Sequence, residues 1–111
     1  MLTVKLIIAV ITIVWGVWAV LAPRRVLALV GLGAEGARGV TESRVALGAL
    51  YIGAGGACLW LPEPAAFATL GLAYAAMAAV RLPAIIIDRS ADASNWASLV
   101  LEVGLGGLLL L

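Results

Sequence analysis

The chain has 111 residues, 65% hydrophobic and 12% charged, with a net charge of +1. Soluble domains carry about 45–50% apolar and about 25% charged residues, so this balance fits only an integral membrane protein. With one cysteine and no histidine, an internal disulfide, a CxxC redox pair and a His/Cys metal set are excluded, and the small net charge argues against a nucleic-acid surface.

No cofactor or metal is expected. Membrane lipids are the first expected partners.

A helix needs about 20 residues to cross about 30 Å of hydrocarbon. Residues 2–22 meet that length and stop at Pro23, Arg24 and Arg25. The end of this run, Val20-Leu21-Ala22, looks like a signal-peptidase site. Pro23 directly after it, and an apolar run long for a signal, keep it as a helix. Residues 26–32 are expected to lie on the membrane surface.

"GLGAEG" at positions 31–36 then matches the dinucleotide pattern G-x-G-x-x-G. That fingerprint requires a βαβ unit and an acidic residue about 20 positions on. The chain has Gly56 there and leads into an apolar helix, so the stretch is read as a flexible loop.

The apolar run 45–61 is short for a span and reaches full length by taking in Thr41, Glu42, Ser43 and Arg44. Pro62-Glu63-Pro64 forces a turn. The run 65–80 is also too short and spans only by continuing through Arg81, Leu82 and Pro83 to Ile87, with a kink expected at Pro83. Residues 93–111 make the last span, centred on Glu102. The predicted fold is all-α: an integral membrane bundle of four transmembrane helices in one domain, with spans at 2–22, 41–61, 65–87 and 93–111.

Arg24, Arg25, Arg38, Arg44, Arg81 and Arg89 fall on one side of this arrangement and Lys5 alone on the other. By the positive-inside rule the arginine side is cytoplasmic and both chain ends face out, in a bacterial inner membrane. Trp18 and Trp96 fall near the arginine interface and Trp60 near the other, as an aromatic belt requires.

Length arithmetic leaves Arg81 and Glu102 inside the apolar layer. Each costs about 2.5–3.5 kcal/mol at a helix centre unless paired. Helix faces gather further polar groups around them. Asn95, Ser98 and Glu102 share one face of the last span, Tyr74 and Arg81 one face of the third, and Arg44, Gly48, Tyr51 and Gly55 one face of the second. Together with Glu42 in the first turn of the second span, these residues could enclose a polar pocket open to the cytoplasm. The competing reading is an Arg81–Glu102 clamp that fixes helix register, with Asn95 and Ser98 as hydrogen-bonding glue. Both can hold at once. Tyr51 and Tyr74 are read first as packing residues whose hydroxyls find a partner. Cys58 is read as a buried apolar residue.

The ridges Ala49-xxx-Gly53-xxx-Ala57 and Gly71-xxx-Ala75-xxx-Ala79 are expected to bring helices close, within the chain or between copies.

With Glu42-x-Arg44 opening the second helix, Arg81 late in the third and Glu102 in the fourth, the chain resembles a bacterial family of four-helix membrane proteins of unknown function. It is the family of domain of unknown function 4345 type, placed near the DoxX-like group. The resemblance covers roughly residue 42 to the end and implies the architecture and the four charged positions, not a reaction.

The expected function is non-enzymatic: a bundle that binds a small lipophilic or anionic molecule or lipid, or an accessory subunit of a larger membrane complex. A small proton- or ion-coupled transporter using Glu102 is the alternative. The small multidrug exporters are similar in length but carry their glutamate in the first helix, where this chain has only Lys5. A lipid- or quinone-acting enzyme with Glu42 and Glu102 as acid and base is the third reading, and no nucleophile–base pair or cofactor motif supports it.

Overall fold

The computed structural model describes every residue from Met1 to Leu111. In chain order it contains α1 (Leu2–Leu21), α2 (Pro23–Leu29), α3 (Gly36–Ser43), a π-helical segment (Arg44–Ala49), α4 (Leu50–Trp60), α5 (Pro64–Ile87) and α6 (Ala93–Leu110). The protein is all-α. Three helices, α1, α5 and α6, are long and apolar enough to cross a membrane. Their bounds follow the apolar runs because polar or helix-breaking residues close each one. Pro23 and Arg24 follow α1, Pro64 opens α5 at a position where its missing N–H costs nothing, and Asp92 caps α6 by accepting the Asn95 backbone N–H at 2.8 Å.

The stretch expected to span at 41–61 is built differently. Helix begins five residues earlier, at Gly36, and passes through the π segment before regaining α geometry at Leu50. The junction residues Ser43, Arg44, Ala49 and Leu50 all keep right-handed helical angles, so the backbone stays helical from α3 to the end of α4.

The glycine loop has a local explanation. Gly31 takes φ 78° just beyond α2, and the Leu32 N–H closes on the Leu27 carbonyl at 2.8 Å, which ends the helix in the left-handed manner typical of glycine. Gly36, at φ 64°, turns the chain into α3. The surface helix therefore stops at Leu29 rather than running to 32. Val26 and Leu27 are buried against the protein while Arg24 and Arg25 are exposed.

Packing proceeds in pairs. α1 lies on the π segment and α4, and α5 lies on α6. In the first pair a Cβ on Gly16 would come within 2.6 Å of the Gly48 carbonyl oxygen, so the backbones touch where only glycine fits. In the second pair a Cβ on Gly106 would sit 3.1 Å from both the Ala75 nitrogen and the Gly71 oxygen. The Gly71–Ala75 part of its ridge is thus used as expected. The other ridge is not: Ala49, Gly53 and Ala57 are exposed, and Gly48, Ile52 and Gly55 make the approach to α1 instead.

The two hairpins meet along a seam of Ile8, Ala9, Cys58, Phe67, Leu70, Tyr74 and Leu109. The seam is narrower than the contact inside either pair, and the molecule is a slab of 39 × 31 × 17 Å.

Candidate functional site in the α5–α6 hairpin

The antiparallel register of α5 and α6 sets the site. Gly71 packs on Leu109 and Ala75 on Gly106, so one turn further along α5 the buried Ala78 comes level with Glu102. A small side chain there leaves room for the carboxylate. Arg81, the next turn on, comes level with Ser98, between Glu102 on one side and Asn95 on the other.

The arginine uses that position fully. Its Nε donates to Glu102 Oε1 and Oε2 at 2.8 and 3.0 Å, and Nη2 donates to Oε1 at 2.5 Å. Nη1 donates to Asn95 Oδ1 at 2.8 Å. Asn95 in turn donates from Nδ2 to the Ser90 carbonyl at 2.9 Å and to Ser90 Oγ at 3.0 Å. A continuous polar chain therefore runs from Glu102 in the apolar interior to the loop at the arginine-rich end.

Exposure divides the two charges. The Glu102 side chain is 8% exposed and that of Arg81 33%. A carboxylate so buried needs its counter-ion, and the fork-on-fork geometry supplies both charge and hydrogen bonds. The arginine reaches the surface on its far side, where an open groove of about 580 Å³ runs along α5. Met77, Val80 and Ala84 form its apolar wall, and Arg81, Asp88 and Asn95 its polar end.

The other residues singled out from the sequence fall elsewhere. Glu42 is exposed and pairs with Arg38 at 2.8 Å, one helical turn away on α3. Arg44 donates through Nη1 to the Val20 carbonyl, satisfying the C-terminal end of α1 with a cation as a helix terminus favours. Neither reaches the Arg81–Glu102 pair, so the expected four-charge pocket resolves into a two-charge cluster and two separate structural contacts. Glu42 and Glu102 therefore do not flank a common space.

Ser98 faces the cluster half-buried and has no side-chain hydrogen bond. Tyr74 shares its hydroxyl hydrogen with Thr12 Oγ1 at 2.6 Å, and Tyr51 donates to the Met77 sulfur at 3.5 Å. Both tyrosines join the hairpins. Trp15 extends this seam, with its ring 6.5 Å from Tyr51 and 5.7 Å from Trp18.

Three participants were missed in the sequence: Thr12, Ser90 and Asp88. Thr12 was findable as the one hydroxyl in the middle of an apolar span. Ser90 and Asp88 were not, because their places depend on how the chain leaves α5. Arg89 takes φ 54° there, and the Ser90 N–H closes on the Ile85 carbonyl at 3.0 Å.

No curated protein and no solved structure matches the chain. The family comparison does not extend to the DoxX-like group. The model of one family, described as a domain of unknown function (DUF4345), matches residues 2–111. The chain, from its first helix to its last residue, belongs to that family.

Proposed function

We propose that the protein is a non-enzymatic, four-span membrane protein of the bacterial inner membrane that holds one lipid or small amphiphile along α5. The polar head of that molecule sits at the Arg81 cluster on the cytoplasmic side. The observation that carries this reading is the divided exposure of the ion pair. A clamp serving register alone gains nothing from an arginine open to an apolar-walled groove, and intramembrane ionisable residues mark sites by default. The fourth span is the helical stretch from α3 through α4, whose apolar part ends at Trp60, a residue suited to the interface.

The test is native mass spectrometry of protein purified in mild detergent, comparing the parent with Val80→Trp and Ala84→Phe, which fill the groove. Val80 is 69% exposed, so the tryptophan does not disturb the core. The parent is expected to carry an amphiphile in one-to-one ratio and the filled variants to lose it. Equal retention in all three refutes the reading.

A role as an accessory subunit is the second reading, supported by the outward face of Ala49, Gly53 and Ala57, small residues that nothing in the chain covers. A stoichiometric partner that dissociates on Gly53→Leu supports it. A chain recovered alone from mild detergent counts against it.

A further inference from the structure

Along α5 the groove changes character in a fixed order. Met77 and Val80 are apolar, Arg81 is cationic, Ala84 and Ile85 are apolar again, and Asp88 is anionic at the end of the helix. Arg81 carries five N–H donors. Three are engaged, the Nε and one Nη2 by Glu102 and one Nη1 by Asn95. Two therefore remain, one on each terminal nitrogen, on a side chain open to the groove.

Asp88 is exposed, and its carboxylate has neither an ion-pair nor a hydrogen-bond partner in the chain. Ser90 belongs to the same lining, its Oγ accepting from Asn95 Nδ2. Nη1 reaches Asn95 while Nε and Nη2 hold Glu102, so the guanidinium is fixed between the two. Arg81 and Asp88 lie seven residues apart on α5, about 10 Å along the axis, a gap that a head group with its phosphate on the one and its ammonium on the other can bridge.

We infer that the groove recognises a phospholipid whose phosphodiester is followed by a primary ammonium, a phosphatidylethanolamine. The acyl chain would run along Met77 and Val80, the phosphate would take the two free N–H groups of Arg81, and the ammonium would meet Asp88 and Ser90. The inference rests on the reading that this groove holds an amphiphile and adds which one.

The charge order excludes the close competitors. Glu102 already neutralises Arg81, so a plain anion meets Asp88 without compensation, whereas a zwitterion of the right polarity satisfies both ends. A quaternary choline head has the charge but no N–H to donate to the carboxylate.

Delipidated protein in detergent would be titrated separately with dioleoyl phosphatidylethanolamine, phosphatidylcholine and phosphatidylglycerol, and the one-to-one adducts read by native mass spectrometry. The parent is expected to prefer the ethanolamine lipid over both others by about fivefold, the effect of one partly exposed ion pair. Asp88→Asn, at an exposed position, should remove that preference, and Asp88→Lys should turn it toward phosphatidylglycerol. Preference of the parent for phosphatidylglycerol, or an unchanged order in Asp88→Asn, overturns the inference. If Val80→Trp abolishes every adduct while Asp88→Asn changes nothing, the groove is an amphiphile site of other head chemistry. If Val80→Trp abolishes none, the groove reading falls together with the inference.

Discussion

Glu102 shows what a single residue can impose on this chain. Its carboxylate is almost enclosed, and Arg81 alone neutralises it. Removing one member of a buried pair strands the other, at about 3–5 kcal/mol when both are enclosed. Arg81 is one-third exposed, so Glu102→Gln is expected to destabilise by about 2–3 kcal/mol, the stranded guanidinium relaxing toward water. Arg81→Glu places two carboxylates together and should be worse. The double swap, Arg81→Glu with Glu102→Arg, should recover part of the loss. Reversible unfolding in mixed detergent micelles measures all three, and a Glu102→Gln variant as stable as the parent would show that the carboxylate does not serve the fold.

A smaller effect belongs to Arg89, whose left-handed backbone normally favours glycine. Arg89→Gly should raise stability by about 1 kcal/mol in the same assay. The ion pair was legible in the sequence because span length forced both charges inside the apolar layer. The partners of Glu42 and Arg44 were not singled out. Arg38 lies four residues before Glu42 and was a candidate on spacing alone, but the Val20 carbonyl becomes visible only once α1 lies against the π segment.

At the scale of elements, the π segment is where the sequence and the structure part most. Apolar periodicity marks a helix but does not report an extra residue within a turn, because both flanks still read as helical. Arg44, Gly48, Ile52 and Gly55 all face α1, a spacing that a regular α-helix also gives, so the pattern of contacts does not betray the wide turn. The choice of glycine ridge was illegible for a related reason. Ala49-xxx-Gly53 and the face carrying Gly48 and Gly55 lie side by side, both offer small residues, and hydropathy does not tell them apart.

Deleting the exposed Ala46 should convert the wide turn to an α turn and leave both flanks facing as before. The variant is expected to run as a monodisperse peak with a Tm within about 3 °C of the parent, a shift of under about 1 kcal/mol. Deleting Gly53 from regular α4 rotates everything beyond it by about 100° and should destroy the hairpin. If deletion of Ala46 is as damaging as deletion of Gly53, the wide turn is itself required.

For the whole molecule, the distribution of charge and the flattened shape bear on one question, whether the path from α3 through α4 crosses the membrane. Its apolar face is shorter than those of α1, α5 and α6, and Glu42 and Arg44 lie within its first turns. Two features favour a crossing. Glu35 precedes this stretch and Glu63 follows it at opposite ends of a long helical path, and α1, which α4 accompanies closely, is itself long enough to span. Gly16 against Gly48 and Ala9 against Gly55 keep the path alongside α1 over about two helical turns, as a crossing requires.

Single cysteines at Glu35 and Glu63, in a Cys58→Ser background, would therefore lie on opposite sides. Cys58 is buried with its thiol on the Ala66 carbonyl at 3.5 Å, a contact that a serine hydroxyl can reproduce. Because arginines crowd the Glu35 end, Glu63→Cys should react with a membrane-impermeant maleimide in intact cells, and Glu35→Cys only after permeabilisation. Labelling of both in intact cells would remove the fourth span. Labelling of Glu35→Cys alone would keep it and invert the protein, moving the mouth of the Arg81 groove to the outer face and with it the lipid leaflet from which the groove is filled.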